Sequence, residues 1–501
     1  MNHADYFSND SIRDDLRGKT VRGGLWTGIA QGVGILISFG AVPVLARLLD
    51  PADFGLVAMV AVFTNFGRMF VDAGLSMATV QREEINHQQV TNLFWLALGL
   101  ALLISGIVAV LSPGIAWFYG DQRLVAIVLA MTTSYVMAGL TIQHQALLRR
   151  KMQFRALAMV QISSVLVAQC VGVGWAWRNY GQVYDFWALV FIPLASAAVT
   201  MIGCWVACPW RPGTPKRGSG VRQMVAFGAN LTGANLLNYL IRNLDKMLLG
   251  WSSGAVILGY YERAYRLLLF PLQNFNAPIT SVIVPALSRM AHARQRLTEH
   301  YLKVLRLLLT FQIPLLVSVL ITAEWWVLLA LGSQWEESIP AFRWLSIVGI
   351  LQPITNSTGW LFIVQGKTRG TLHMTMIVAP LTLLGFAMGL PWGHVGVACG
   401  YATVTLLFTM PTILYFLKKY DVIAPSCILT ELVRVVPLVL AVATANLALV
   451  LSAPDMKPAL GAVCSVTISL LTIVAIVFRT RQGRGILEDL RWIVGSKEGA
   501  T

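Results

Sequence analysis

NLLNYLIRNLDKMLLG, residues 235–250, places three asparagines, an arginine, an aspartate and a lysine inside a long apolar run. The flanking residues read as lipid-facing, and the polar ones do not. On a helix each residue advances about 100°. Asn235, Asn238, Arg242 and Asp245 follow spacings of 3, 4 and 3, so they fall within roughly 80° of one another. The stretch is a transmembrane helix with one polar stripe. Such a stripe must face protein or a wet cavity, because a charge at the bilayer centre costs several kcal/mol.

Working outward, the same kind of run recurs along the chain. Of 501 residues, 56% are hydrophobic and only 12% charged, about half the charged share of a soluble domain. Apolar runs of about 20 residues, each long enough to cross a bilayer as a helix, are centred at 24–46, 55–79, 92–112, 122–145, 156–176, 185–207, 224–249, 255–285, 304–329, 339–364, 372–391, 395–417, 431–452 and 459–478. This predicts an all-α polytopic membrane protein of about fourteen spans. The short alternating segments of a transmembrane β-barrel are absent.

The net charge of +15 is a topology signal and not a nucleic-acid footprint. Basic residues cluster in every second loop, about twenty-six against five: Arg47, Arg123, Arg178, Lys246 and Lys457 are the exceptions. Positive charge stays inside, so both termini are expected in the cytoplasm. Six cysteines lie in or beside apolar runs with no CxxC, and read as small packing residues. No metal or cofactor is expected. The outer loops are too short to build an enzyme site.

A faint repeat follows. DFGLVAMVAVF from Asp53 and ILGYYERAY from Ile257 open two long, polar-studded helices six spans apart. Parallel six-helix repeats predict two lobes. The expected organisation is a cytoplasmic segment 1–22, an N-lobe 23–208, a basic linker 209–222, a C-lobe 223–420, two further spans 421–478 and a tail 479–501.

The stripes predict the site. Span 2 carries Asn65, Arg68, Asp72 and Ser76 on one face, span 1 carries Gln31 and Ser38, and span 8 carries Glu262, Arg263 and Arg266. Arg68, Arg242, Arg263 and Arg266 are the candidate substrate-binding cations of a central cavity. Gln31, Ser38, Asn65, Ser76, Asn235 and Asn238 are its candidate polar lining. Asp72 and Asp245 are the candidates for proton or sodium coupling. Arg68 with Asp72 and Arg242 with Asp245 also have the spacing of self-satisfied pairs that only lock helices. The cations in spans, Arg306 and Arg343 included, outnumber the acids. A positive cavity selects an anion, and arginine's planar fork suits phosphate.

ARLLDPADFGLVAMVAVFTNFGRMFVDAGLSMATVQR (46–82), NLFWLALGL, AWFYGD, NLDKMLLG, LGYYERAYRLLLFPLQN and VIVPALSRM resemble the Wzx-type polysaccharide flippases, most closely the colanic-acid-exporter branch. These belong to the multidrug/oligosaccharidyl-lipid/polysaccharide exporter superfamily. The resemblance covers nearly the whole chain. It implies two six-helix lobes and two C-terminal helices in a bacterial inner membrane. It further implies movement of an undecaprenyl-diphosphate oligosaccharide from the inner to the outer leaflet, with membrane lipid, a polysaccharide polymerase and chain-length or export machinery as partners. By position it carries cationic roles to Arg68, Arg242, Arg263 and Arg266. Glu262 departs from the pattern and would neutralise Arg266. The rival readings are a drug exporter of the same superfamily, a membrane glycosyltransferase or polymerase, and a scaffold that does not transport.

Overall fold

The structure is a computed structural model and describes residues 16–72, 74–82, 85–216, 239 and 242–479. Hydrocarbon offers no hydrogen bonds to an open backbone, so an apolar chain of this kind must close its own as helix. Among the described residues the elements are accordingly helical. The first unit holds α1 (Leu16–Leu48), α2 (Pro51–Asp72), α3 (Leu75–Gln81), α4 (His87–Tyr119), α5 (Arg123–Arg150), α6 (Phe154–Arg178) and α7 (Trp187–Ala207). A 45-residue run, α8 (Leu244–Ser288), follows. Then come α9 (Arg294–Ile321), α10 (Ala323–Ala330), α11 (Ser338–Val364), α12 (Thr368–Gly389), α13 (Gly393–Val404), α14 (Met410–Lys419), α15 (Pro425–Ser452) and α16 (Pro458–Arg479).

Eleven described helices are long and apolar enough to cross a membrane, or twelve with the pair Leu244–Asn274 and Ile279–Ser288, bent by 48°. One of the eleven, Thr368–Lys419, is itself a hairpin. Its legs are pressed together by glycine: a Cβ at Gly385, Gly389, Gly396 or Gly400 would strike the backbone of the opposite leg. Small residues are how membrane helices approach this closely. Counting both legs accounts for the expected fourteen apart from the seventh span, which falls largely outside the described residues. Inside α8, Gly254 takes φ 79° and ψ −175°, a conformation reserved for glycine. It divides the end of the expected seventh span from the start of the eighth.

The chain forms two compact units, Met1–Gly259 and Tyr260–Thr501. In the first, α2 crosses the chain beyond Gly254 backbone to backbone. A Cβ at Gly55 would land on the Ala255 carbonyl, and one at Gly259 on the Pro51 carbonyl. The same interval separates Pro51 from Ala255 and Gly55 from Gly259. The contact is therefore reciprocal.

The segment expected as a free basic linker is described as far as Lys216, and that part is strapped down. Trp210 is fully buried, and its Nε1–H donates to His87 Nδ1 at 3.0 Å. Trp95 Nε1–H donates to the Gly213 carbonyl at 2.8 Å. Asn92 donates to the Lys216 carbonyl at 2.6 Å and accepts from its N–H at 3.1 Å. The tryptophan sits among His87, Phe94 and His144, so the strap belongs to the first unit's core.

In the second unit, the last two spans are fastened to α9. Asn446 Oδ1 accepts from Ser318 at 3.1 Å and from Ser465 at 2.7 Å, and its amide donates to Ser469 at 3.0 Å. Nearer the start of α15, buried Glu431 takes Arg306 through two bonds of 2.9 and 3.0 Å and Arg434 through one of 2.6 Å. Arg306, counted from sequence among the cavity cations, is thus neutralised. Its partner was overlooked because Glu431 begins an apolar run and reads as a surface residue.

Candidate functional site

A cavity of about 350 Å³ lies wholly inside the first unit, walled by α2 with α3, by α5 and by α7. Each wall is a stripe at helical spacing. From α2 and α3 come Arg68, Asp72 and Ser76; from α5, Thr141, Gln145 and Arg149; from α7, Ser196 and Thr200. Met137 to Arg149 along α5 is about 18 Å at 1.5 Å per residue. The cavity therefore runs from the last turn of α5 well into the membrane-spanning part of the unit.

The wall at Asp72 has a local cause. Gly74 takes φ 70° and ends α2, and α3 restarts at once. Asp72 caps the restart. Its Oδ1 accepts from the Ser76 N–H at 3.1 Å, and its Oδ2 accepts from the Ser76 hydroxyl at 2.9 Å. Side-chain oxygens at helix starts satisfy N–H groups that have no helical partner. Asp72 is thus committed to Ser76, and Arg68 makes no ion pair or hydrogen bond among the described residues. The self-satisfied Arg68–Asp72 pair does not form.

Two adjacent arginines on α5 do opposite jobs. Arg150 is buried, and its guanidinium donates to the Thr79 carbonyl at 3.2 Å and to the Arg82 carbonyl. It closes the end of α3, where carbonyls lack helical partners. Arg149 points the other way, into the cavity, and likewise has no ion pair or hydrogen bond among the described residues. With Arg150 and Lys151 beside it, Arg149 reads from sequence as one of the basic charges of an inner loop. The available signal was the spacing Thr141, Gln145, Arg149, which puts all three on one face of α5.

Above the cavity, α2 is gripped from two sides. Tyr135 donates its hydroxyl to the Thr64 carbonyl at 2.7 Å, and Tyr239 donates to the Val62 carbonyl at 2.9 Å. Gly67 makes room for the Tyr135 hydroxyl.

Of the residues expected from sequence, this cavity brings together Arg68, Asp72 and Ser76. Asn65 is exposed on α2, Gln31 is exposed on α1, and Ser38 there is half-buried. Arg242 is exposed in the turn before α8 and does not pair with Asp245. Asp245 is buried and accepts from the Lys246 N–H at 2.8 Å. Arg263 and Arg266 belong to the second unit, where Arg266 Nε donates to buried Glu262 at 2.5 Å. Neutralisation of Arg266 by Glu262 is therefore present. Asn235 and Asn238 lie outside the described residues.

Residues 44–340 match a family described as "Polysaccharide biosynthesis protein". The chain is 27% identical to the lipopolysaccharide biosynthesis protein WzxC of Escherichia coli (strain K12), over 82% of this chain and 83% of that protein. It is 26% identical to the teichuronic acid biosynthesis protein TuaB of Bacillus subtilis (strain 168), over 69% and 71%. It is 24% identical to the succinoglycan biosynthesis transport protein ExoT of Rhizobium meliloti (strain 1021), over 67% of each. Among solved structures, an inward closed conformation of the lipid II flippase MurJ superposes with a TM-score of 0.68 at 12% identity, over 91% of this chain and 98% of that one. An inward-facing multidrug resistance MATE transporter gives 0.59 at 13% identity, over 79% and 96%. Those two likenesses establish the fold, a polytopic helical membrane bundle. With the family match spanning more than half of its residues, the chain is a member of the polysaccharide biosynthesis protein family.

Proposed function

We propose that the protein is a flippase for a polyprenyl-diphosphate-linked oligosaccharide, carrying a polysaccharide repeat unit from the inner to the outer leaflet of a bacterial inner membrane. Exopolysaccharide, capsule or O-antigen assembly would consume the product. The carrying observation is the cavity: a polar chamber between membrane-spanning helices, with arginines that make no ion pair among the described residues. Such a chamber suits an anionic headgroup whose lipid tail stays in the bilayer. Relatives named for lipopolysaccharide, teichuronic acid and succinoglycan assembly support the cargo class. The reaction is translocation by alternating access, with no bond made or broken. The drug-export reading has only the fold of the MATE neighbour behind it.

With both termini cytoplasmic, the cavity lies in the inner half of the bilayer, where the cargo is made. Cells lacking the protein, with upstream glycosyltransferases intact, are expected to accumulate the lipid-linked oligosaccharide in the inner leaflet. Mass spectrometry of lipid extracts with enzymatic accessibility on sealed vesicles reads this. Normal external polymer with no accumulated lipid would sink the flippase reading.

Proton or sodium coupling through Asp72 would require release of the α3 cap. Asparagine caps a helix about as well as aspartate, whereas alanine costs about 1 kcal/mol. Asp72→Asn is therefore expected to keep transport within about twofold, and Asp72→Ala to lower thermal stability modestly. A folded Asp72→Asn protein that no longer transports would restore a coupling role to this carboxylate.

A further inference from the structure

We propose that the second compact unit carries a binding site for an anionic phospholipid of the inner leaflet, on the bilayer-facing shoulder of α15, with Arg434 as its anchor. The site is separate from the cavity of the first unit. It concerns a resident membrane lipid and not the cargo, and so goes beyond the flippase reading.

Arg434 sits where a cation is costly. With both termini cytoplasmic, as the loop charges indicate, α15 starts at the inner surface. Its 28 residues span roughly 42 Å at 1.5 Å each, against ~30 Å of hydrocarbon. Arg434, nine residues in, therefore stands about 8 Å inside the hydrocarbon edge. Its side chain is 47% exposed, while that of its partner Glu431 is 3% exposed. A guanidinium has five N–H donors. Nη1 donates to Glu431 Oε1 at 2.6 Å, and that is the one hydrogen bond Arg434 makes among the described residues. Arg306 holds the same carboxylate through two. A half-exposed cation at this depth calls for an anion of its own. Side chains on a helix lean toward its N-terminus, here the cytoplasmic end. Arg434 thus leans toward the inner headgroups, its stem in lipid and its charge at their level.

The approach is lined with further donors. Ser426, Thr430 and Arg434 follow at intervals of four, one turn apart on one face. Farther along the same helix, Thr444 and Ser452 give their hydroxyls to carbonyls three residues back. Thr430 and Ser426 are exposed and make no such bond among the described residues. Neighbouring helices add charge at the same level. Leu307 of α9, Leu438 of α15 and Val477 of α16 belong to one apolar cluster, against which Ile476 packs. One turn toward the cytoplasm from Leu307, Leu438 and Ile476 stand Lys303, Arg434 and Arg479. Alongside them runs an apolar ridge for an acyl chain, the exposed Leu429, Val433, Val436 and Leu440.

This set of groups chooses among lipids. Every phospholipid brings a phosphate that a guanidinium can fork. A zwitterionic head also brings an ammonium or choline group, which Lys303, Arg434 and Arg479 repel. An anionic diester such as phosphatidylglycerol brings hydroxyls instead, and these suit Ser426 and Thr430.

The test gives full-length protein in detergent equal amounts of phosphatidylglycerol and phosphatidylcholine, and counts the retained lipids by native mass spectrometry. The wild type should retain phosphatidylglycerol in preference. Arg434→Ala should cut that retention about fivefold, which is what one basic residue near an anionic membrane surface is worth. Arg434→Lys should cut it less. The Ser426→Ala, Thr430→Ala double variant, which alters no charge, should also cut it, by less than Arg434→Ala. Arg178→Ala, at the end of α6 in the first unit, should change nothing. Added phosphatidylglycerol should raise the thermal midpoint of the wild type and leave that of Arg434→Ala where it was. Wild-type retention by both Arg434→Ala and the double variant overturns the site. Equal retention of the two lipids by the wild type overturns the choice of an anionic head and leaves ordinary boundary lipid. The flippase reading stands or falls separately, in the lipid extracts.

Discussion

Glu431→Ala should lower the stability of the protein by about 3–5 kcal/mol, the usual cost of removing one partner from a buried ion pair. Glu431 is only 3% exposed and accepts from two arginines, Arg306 on α9 and Arg434 one turn along α15. Truncating it takes a buried carboxylate, and two hydrogen bonds, from the Arg306 guanidinium between membrane helices. Arg434 is about half exposed, so it can reach a lipid headgroup or water and contributes little to the loss. Glu431→Gln keeps the shape and one acceptor oxygen, and should cost less. The double variant Glu431→Leu, Arg306→Met removes both buried charges and should recover most of the stability, since apolar replacement of a whole buried pair is often neutral. Thermal midpoints by fluorescence-detected size exclusion would measure all three. A double variant no more stable than Glu431→Ala would mean that the pair holds more than charge balance.

Gly55→Val and Gly259→Val should each abolish export and markedly lower the thermal midpoint. Overpacking a well-filled contact usually costs about 1–3 kcal/mol. Here the obstacle is backbone on both sides, the Ala255 carbonyl for Gly55 and the Pro51 carbonyl for Gly259. No side chain can rotate aside, so the helices must separate. Gly28→Ala on α1 is the control: a Cβ there meets nothing within 4 Å, and alanine is the better helix former by about 1 kcal/mol. Gly55→Val protein with an unchanged midpoint would show that this crossing opens without cost.

Much of this architecture was legible in the sequence, because a membrane allows few solutions. Apolar runs of spanning length had to be helices, and the loop charges set an expectation for their orientation. Helical spacing assigned Arg68, Asp72 and Ser76 to one face, and all three line one cavity. Periodicity says which residues share a face; it does not say which faces meet. Arg149 was missed for that reason: its neighbours Arg150 and Lys151 made it look like a loop residue, and the stripe on α7 that completes its chamber is two ordinary hydroxyls. Asn446 is similar, a lone amide whose partners Ser318, Ser465 and Ser469 come from distant segments and look like packing residues. The Arg68–Asp72 pair, one of the alternatives its spacing left open, does not form. The i, i+4 spacing is right for it, but Gly74 breaks the helix and offers Asp72 a nearer pair of donors on Ser76.

The seam around Asn446 also decides what α9 is. Seen without α15 and α16, α9 would turn Ser318 and Arg306 outward into hydrocarbon. Arg306 would lose the Glu431 carboxylate there, at a depth where a charge is costly, and Ser318 its bonds to Asn446 and Ser465. The last two spans supply the partners, and turn to the bilayer a rim of exposed Leu440, Leu447, Leu451, Leu470 and Leu471. They are the panel that makes α9 an inside helix. A chain cut before Pro425 would not be a shorter version of the same molecule. It would be one with a polar wound open to lipid, and the cell's membrane quality control would be expected to treat it as such.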